Sequence, residues 1–297
     1  MIKQSKIAVL GGDARQYYAA DYLCRFFDEV AIWGFGDGVG SRSLVKRYNA
    51  PEEALKGSEL CVLPIRVSMD GNTLSCPLDQ TSKLELLYLL DIFSSNSTIL
   101  GGSVPMETLN EIHLQGNRYI NYFEKEELQI KNALLSAEGA LALGITETPF
   151  AMFGAKIAVL GYGRIAKFLC DKLSRMGAFV TVFARNANDR AIALSYGFNA
   201  YPFDNRFINN LSQDFDIIYN TVPSPIIDGL TASRISEQAT FIELASFPGG
   251  IASEAAKLYR GKLIYADGLP GKFAPMTAGR IIAETIVQIL TEEEYIT

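Results

Sequence analysis

The hexapeptide Lys-Ile-Ala-Val-Leu-Gly occurs twice in this chain, beginning at Lys6 and again at Lys156. Each copy is an apolar strand that ends at a glycine, as at the start of a βαβ unit. Because the chain has 297 residues, the repeat divides it into halves of about 150 residues, the size of a domain. The sequence therefore predicts two α/β domains.

The second copy continues into a G-x-G-x-x-A turn, which allows a backbone to approach a pyrophosphate at a helix N-terminus. An apolar strand precedes this turn and a helical pattern follows it, so we predict a dinucleotide site here. The alternative is a tight strand-to-helix turn with an empty pocket. The turn residues expected at the cofactor are Gly161, Gly163, Arg164, Ile165 and Ala166.

The first copy continues as Gly11-Gly12-Asp13-Ala14-Arg15. Asp13 stands where a dinucleotide site needs glycine, and its carboxylate would block the close approach and repel phosphate. We therefore expect the first half to bind something else.

Cofactor choice depends on the second strand of the second half. NAD-specific folds place an acid near the end of this strand, whereas here no acid occurs between Phe183 and Asp189. Arg185 can pair with a 2′-phosphate, so we favour NADP over NAD; the alternative is that Arg185 is a solvated loop residue. The other predicted cofactor contacts are Asn186, Thr221, Val222, Pro223 and Ala245.

The composition excludes several classes of function. A net charge of −6 offers no electrostatic footprint for nucleic acid or an anionic membrane surface. No apolar run approaches the roughly 18 residues of a membrane span, and no signal-peptide core precedes the first strand, so we expect a cytoplasmic protein. Four scattered cysteines and the single histidine, His113, lack metal-ligand spacing; we predict no metal site.

Apolar runs in each half predict five buried parallel strands separated by helices. In the first half the strands are Ile7–Leu10, Val30–Trp33, Leu60–Ile65, Thr98–Leu100 and Tyr119–Tyr122, and the helices lie around Tyr17–Phe27, Ser82–Phe93 and Val104–Leu114. In the second half the strands are Ile157–Leu160, Val180–Phe183, Ile217–Asn220, Thr240–Leu244 and Leu263–Tyr265.

These patterns predict an α/β fold with two doubly wound, Rossmann-like parallel sheets and an interdomain cleft. We assign 1–150 to a substrate domain that ends with a linking helix, 124–144, and 151–276 to an NAD(P)-binding domain. The last segment, 277–297, contains an apolar helix over Thr277–Leu290 that we expect to pack back toward the N-terminal domain.

Four stretches, spread in order over almost the whole chain, resemble the A subunits of dipicolinate synthases. They are Gly11-Gly12-Asp13-Ala14-Arg15-Gln16; Leu63-Pro64 with Ser68 and Asp70-Gly71; Asn132-Ala133 with Ala137-Glu138-Gly139; and Gly268-Leu269-Pro270-Gly271-Lys272 with Ala274-Pro275 and Thr277-Ala278-Gly279. The chain departs from the family pattern at Leu135-Ser136, where we expect Pro-Thr, and at Arg66, where we expect an uncharged residue.

The resemblance implies NAD(P)-dependent formation of dipicolinate, the pyridine dicarboxylate of bacterial endospores. The substrate would be dihydrodipicolinate or its hydroxytetrahydro precursor from the lysine pathway, oxidised in the mother cell during sporulation. The resemblance also implies a heteromeric complex with a flavoprotein-like B subunit. Assembly of the chain into a homo-oligomer stays open.

Such a reaction needs a clamp for two carboxylates more than it needs a strong base. Arg15, Lys272 and the backbone amides of Gly102–Ser103 are the candidates, with Arg15 and Lys272 on opposite walls of the cleft. Glu138, between two small residues of the linking helix, is the candidate proton acceptor. Each has a structural alternative: a surface role for Arg15 and Lys272, an interdomain salt bridge for Glu138, and for Ser103 the N-cap of the helix at Pro105, which we favour.

Two other functions stay open. One is a dehydrogenase of the shikimate or hydroxyacid type, in which we would expect a Lys-Asp or His-Glu pair; His113 has no evident partner. The other is a non-catalytic, nucleotide-sensing protein that binds NADP without turnover.

Overall fold

A computed structural model describes residues 4–36, 44–79, 81–204, 206–212 and 214–295. The chain divides into two compact units: the residues up to Asn132 together with those from Pro270 form the first, and Ala133–Leu269 form the second. These limits differ from the predicted 1–150 and 151–276, because the chain passes between the units inside a long helix and returns before the C-terminal helix.

The described residues of each unit form one sheet of six parallel strands. The order of the first sheet is β3-β2-β1-β4-β5-β6, and that of the second is β12-β11-β10-β7-β8-β9. The strands of the first are β1 Gln4–Leu10, β2 Phe27–Trp33, β3 Lys46–Arg47, β4 Leu60–Val62, β5 Thr98–Gly101 and β6 Arg118–Asn121. Those of the second are β7 Lys156–Leu160, β8 Phe179–Phe183, β9 Asn199–Tyr201, β10 Ile217–Asn220, β11 Thr240–Glu243 and β12 Lys262–Tyr265.

Helices connect the strands. Up to the long helix they are α1 Ala14–Leu23, α2 Pro51–Leu55, α3 Leu86–Asp91, α4 Met106–Leu114 and α5 Glu126–Glu147, with a 3-10 helix at Tyr122–Glu124. The later helices are α6 Arg164–Arg175, α7 Ala187–Ser195, α8 Phe207–Leu211, α9 Gly229–Arg234, α10 Ser253–Ala256, α11 Leu269–Phe273 and α12 Pro275–Glu292. In the described part of the chain, no helix combines the length and the apolar character needed to cross a membrane.

The two copies of the hexapeptide occupy equivalent places. β1 lies between β2 and β4, and β7 lies between β8 and β10. The apolar residues 7–10 and 157–160 are all fully buried, as expected for parallel strands that are covered on both faces. The prediction of two doubly wound α/β domains is therefore confirmed.

Several element boundaries differ from the predictions. Each sheet has one more strand than expected, because β3 and β9 are short edge strands. The helix expected at Tyr17–Phe27 begins at Ala14 and ends at Leu23, so that Phe27 opens β2. The helix expected from Ser82 begins only at Leu86, because the Asp79 carboxylate accepts hydrogen bonds from the Thr81 and Ser82 hydroxyls and shapes a turn.

The C-terminal helix α12 packs against α1 within the first unit. The two helices approach closely at Gly279, where an added Cβ would lie 2.6 Å from the Arg15 carbonyl oxygen. The end of α12 is held by ion pairs from Lys125 to Glu292 at 2.7 Å and from Arg118 to Glu293 at 2.5 Å. The segment after Leu269 thus reaches the base of α1, beside the first glycine turn.

Candidate cofactor and substrate sites

The first glycine of each turn makes the same backbone contact. Gly11 donates its amide hydrogen to the Trp33 carbonyl at 2.8 Å, and Gly161 donates to the Phe183 carbonyl at 2.7 Å. Gly161 adopts φ +93°, and an added Cβ would lie 2.4 Å from the Thr221 hydroxyl oxygen. A side chain at 161 is therefore disfavoured by both conformation and space.

The second turn leaves the N-terminus of α6 open. Gly163 is the N-cap, no side chain caps the helix, and its first turn contains no acidic residue. A Cβ added at Gly163 would have no neighbour within 4 Å. Because a helix N-terminus favours an anion, these residues fit the pyrophosphate of a dinucleotide. Arg164 and Ile165 begin the helix, and Ala166, its third residue, is fully buried.

The protein itself fills the equivalent place in the first turn. Asp13 is the N-cap of α1, and its carboxylate accepts a hydrogen bond from the Arg15 amide at 3.0 Å. The Gly12 amide donates to the Ser75 carbonyl at 2.7 Å, and a Cβ at Gly11 would lie 2.8 Å from that carbonyl oxygen. A carboxylate and a loop carbonyl thus satisfy the groups that would otherwise face phosphate.

Helix α7, which follows β8, contains a second cation that the sequence reasoning missed. The Arg190 guanidinium donates hydrogen bonds to the carbonyl oxygens of Ala184 and Arg185, each at 2.8 Å. Asn186, a predicted cofactor contact, is the N-cap of α7 and accepts a hydrogen bond from the Asn188 amide at 2.9 Å. Arg185 is exposed, and Arg190 holds its backbone in place.

The segments after β10 and β11 are tied together by a buried carboxylate, Glu243, which is only 3% exposed. It accepts hydrogen bonds from the Asn220 side-chain amide at 2.6 Å and from the Ala245 amide at 2.9 Å. Burial raises the pKa of Glu243, although these hydrogen bonds act in the opposite direction. Ala245, a predicted cofactor contact, thus uses its amide inside the protein. Thr221 and Val222 are half-buried, and Pro223 is exposed.

The structure brings Arg15 close to Gly271 of the predicted Gly-Leu-Pro-Gly-Lys segment. The Arg15 guanidinium pairs with the Asp13 carboxylate at 2.7 Å. A Cβ added at Gly271 would lie 2.9 Å from Asp13 Oδ2 and 3.1 Å from Arg15 Nε. The next residue, Lys272, is exposed and belongs to the same unit as Arg15. Contrary to our prediction, the two cations therefore do not come from different domains.

The amides of Gly102 and Ser103 are not available for a substrate. The Gly102 amide donates to the Pro64 carbonyl at 3.0 Å, and the Ser103 amide donates to the Ile65 carbonyl at 2.9 Å. The N-cap of α4 is Pro105, with no side-chain capping bond, so the expected cap at Ser103 is also wrong. Both predictions failed because residues 102–103 continue the parallel pairing past β5, as the bridge between Arg66 and Ser103 shows.

Glu138 lies on α5 in the second unit and forms an ion pair with Lys172 of α6 at 3.1 Å. Half of its side chain is exposed, at 50%. Both residues belong to the second unit, so this salt bridge is not the interdomain one that we left open as an alternative. A role for Glu138 in proton transfer stays a prediction.

Known proteins resemble this chain in sequence along almost its whole length. A family model for the N-terminal domain of the A subunit of dipicolinate synthase matches residues 6–123. Over 293 residues the chain is 29% identical to the A subunit of the Bacillus subtilis dipicolinate synthase, covering 98% of both proteins. The chain is thus similar to dipicolinate synthase A subunits over almost its whole length, and the family model matches its N-terminal part.

Solved structures extend this result to the fold of the whole chain. The A subunit of the Bacillus halodurans dipicolinate synthase is 25% identical, with a TM-score of 0.84 over 98% of this chain and 99% of that one. A transhydrogenase from Sinorhizobium meliloti is 15% identical, with a TM-score of 0.72 over 96% of this chain and 94% of that one. The latter likeness shows the fold alone.

Sequence reasoning missed Arg190 and Glu243 for different reasons. Arg190 lies in the first turns of α7, which begins two residues after Arg185. Had this helix been predicted, it would have indicated that Arg190 lies near the end of β8. Glu243 ends an apolar strand, Thr-Phe-Ile-Glu. Two features of the sequence could have indicated a buried hydrogen-bond acceptor here. One is the single acid at the end of a buried strand, and the other is the pair of glycines at 249 and 250.

Proposed function

We propose that this chain is the catalytic, nicotinamide-dependent component of a dipicolinate synthase. It would oxidise dihydrodipicolinate to dipicolinate; with the hydroxytetrahydro precursor as substrate, loss of water would precede the same two-electron oxidation. The similarity to a dipicolinate synthase over 98% of the chain carries this proposal. The open N-terminus of α6 supports the cofactor, because the same turn in the first unit is closed by Asp13 and Ser75.

The cofactor is expected at the second glycine turn. A bound nicotinamide dinucleotide supplies a hydride acceptor. Gly161 and Gly163 allow the close approach of the pyrophosphate, and the first amides of α6 hold it. Arg185, whose backbone is held by Arg190, would pair with a 2′-phosphate, which favours NADP over NAD.

Arg15 and Lys272 are the proposed ligands of the substrate carboxylates. The Arg15 side chain is only 16% exposed, and Asp13 fixes its guanidinium through Nε and Nη2. A fixed guanidinium loses little entropy when it binds a carboxylate. Lys272 follows Gly271, which lies against the same pair. Because aromatisation of the ring favours oxidation, no strong base is needed. The half-exposed Glu138, which pairs with Lys172, need only assist the release of a proton.

The relatives are named as A subunits, and we infer a complex with a flavoprotein-like B subunit. In keeping with the role of the family in spore formation, the reaction would occur in the cytoplasm of the mother cell. The substrate would come from the lysine pathway.

The direct test is to add NADP and dihydrodipicolinate to the purified chain, with and without the B subunit. The proposal predicts that one nicotinamide is reduced for each pyridine dicarboxylate formed. The absorbance of both products measures this ratio. Binding of NADP without turnover in both mixtures would instead favour the nucleotide-sensing function. Turnover of a hydroxyacid but not of dihydrodipicolinate would favour the other dehydrogenases.

A further inference from the structure

Glu243 is the most deeply buried acid beside the proposed cofactor site, and the chemistry above does not use it. Its carboxylate accepts hydrogen bonds from the Asn220 side-chain amide at 2.6 Å, the Ala245 amide at 2.9 Å and the Gly250 amide at 2.8 Å. All of these partners are donors, so the site is built for a group that only accepts.

The loop over residues 245–250 is pressed onto this carboxylate. A Cβ added at Gly250 would lie 2.2 Å from Asn220 Nδ2, and one at Gly249 would lie 3.1 Å from Glu243 Oε2. Because neither glycine has a side chain, the backbone can approach closely enough for the Gly250 amide to donate its hydrogen bond to the carboxylate. The loop is anchored at both ends, at Ala245 and at Gly250.

Asn220 extends the cluster to the segment after β10. Its side chain accepts a hydrogen bond from the Val222 amide at 3.1 Å and donates one to the Val222 carbonyl at 3.0 Å. The neighbouring Thr221 hydroxyl donates to the Leu160 carbonyl at 2.8 Å. Hydrogen bonds of the consecutive residues Asn220 and Thr221 thus reach Glu243 on one side and Leu160, just before the glycine turn, on the other.

The position of this cluster in the sheet identifies the part of the cofactor that it faces. β10 and β11 lie on one side of β7, whereas β8 lies on the other. The adenosine ribose is read at the end of β8, so a dinucleotide that crosses the glycine turn extends its nicotinamide half toward β10 and β11. The anchored loop carries Phe247, which is 94% exposed.

We propose that Glu243 is a positioning residue for the nicotinamide half of the cofactor. It anchors the 245–250 loop, and Phe247 at the tip of that loop offers an apolar surface to the nicotinamide and its ribose. This inference rests on the proposed function.

The test compares two ligands, the dinucleotide and ADP-ribose with the matching 2′ group, which lacks nicotinamide. In Glu243→Gln the new NH₂ group would face N–H donors that now bind the carboxylate, so the 245–250 loop would lose part of its anchor. We therefore expect the Kd of the dinucleotide to rise about tenfold or more. In Phe247→Ala we expect a rise of about threefold or more. For both variants the Kd of ADP-ribose should stay within about twofold of the original value.

Two exposed residues of the second unit offer matched controls. Glu254→Gln changes an acid on α10 whose side chain is 84% exposed, and Phe179→Ala changes a 64% exposed ring at the start of β8, at the other end of the strands from the 245–250 loop. Both should leave the two Kd values unchanged.

The outcomes separate this inference from the proposed function. Equal losses for both ligands in Glu243→Gln would show a merely structural acid and overturn the inference, as would an unchanged dinucleotide Kd in Phe247→Ala. Phe247→Ala decides the matter if Glu243→Gln does not fold. If the original chain binds neither ligand, the proposed function fails first.

Discussion

Replacing Gly163 by Asp would make the second turn resemble the first, where Asp13 caps α1. Gly163 has φ −81°, which suits any residue, and a Cβ there meets no atom within 4 Å. Asp is also a good N-cap, worth a few tenths of a kcal/mol more than Gly. We therefore expect Gly163→Asp to fold normally, with an unchanged or slightly higher melting temperature.

The same variant should lose the nucleotide. Two unit charges 4 Å apart repel by about 4 kcal/mol at an effective dielectric constant of about 20. A carboxylate at the N-cap would face a pyrophosphate at about this range, so the Kd should rise about a thousandfold. Gly163→Asn has nearly the same shape without the charge and serves as the control, with a much smaller loss.

Calorimetric titration of both variants with NADP measures this effect, and thermal unfolding checks the fold. An affinity in Gly163→Asp equal to that of the original chain would refute the assignment of the α6 N-terminus to the pyrophosphate. Equal losses in the Asp and Asn variants would show that volume, not charge, decides binding.

Three further predictions concern single side chains. Gly161→Ala forces a Cβ at positive φ against Thr221 and should lower the free energy of unfolding by about 1–3 kcal/mol in urea titrations; an unchanged value would contradict the close approach. Arg185→Ala should weaken NADP more than NAD by about 1.5–3 kcal/mol, or more than tenfold in Kd, whereas equal losses would show that Arg185 does not read the 2′-phosphate. Arg15→Ala and Lys272→Ala should each lower kcat/KM for dihydrodipicolinate at least tenfold, with nearly unchanged NADP affinity and a less than additive double variant. Original turnover in either variant would remove that residue from the site.

The sequence was sufficient for the central strands of both sheets. Buried parallel strands such as β1 and β7 are continuous apolar runs, and the repeat marked them directly. The edge strands Lys46–Arg47 and Asn199–Tyr201 escaped because short, polar segments have no apolar pattern. Their pairing comes from the neighbouring strand rather than from their own composition.

The site was less predictable, because its key contacts are long-range. The sequence singled out Asp13, which caps α1 in the structure, but nothing in the sequence shows that the Ser75 carbonyl reaches Gly12. Likewise, the pairing of Gly102 and Ser103 with residues 64–65 depends on the register of neighbouring segments. A local motif identifies which backbone amides exist, whereas the tertiary structure decides which of them remain available.

A crystal structure of the chain with a bound nicotinamide dinucleotide tests the central claim most directly. The account predicts one dinucleotide per chain, with its pyrophosphate at the N-terminus of α6 beside Gly161 and Gly163. Electron density for the pyrophosphate at the first turn, beside Gly12 and Asp13, would contradict it.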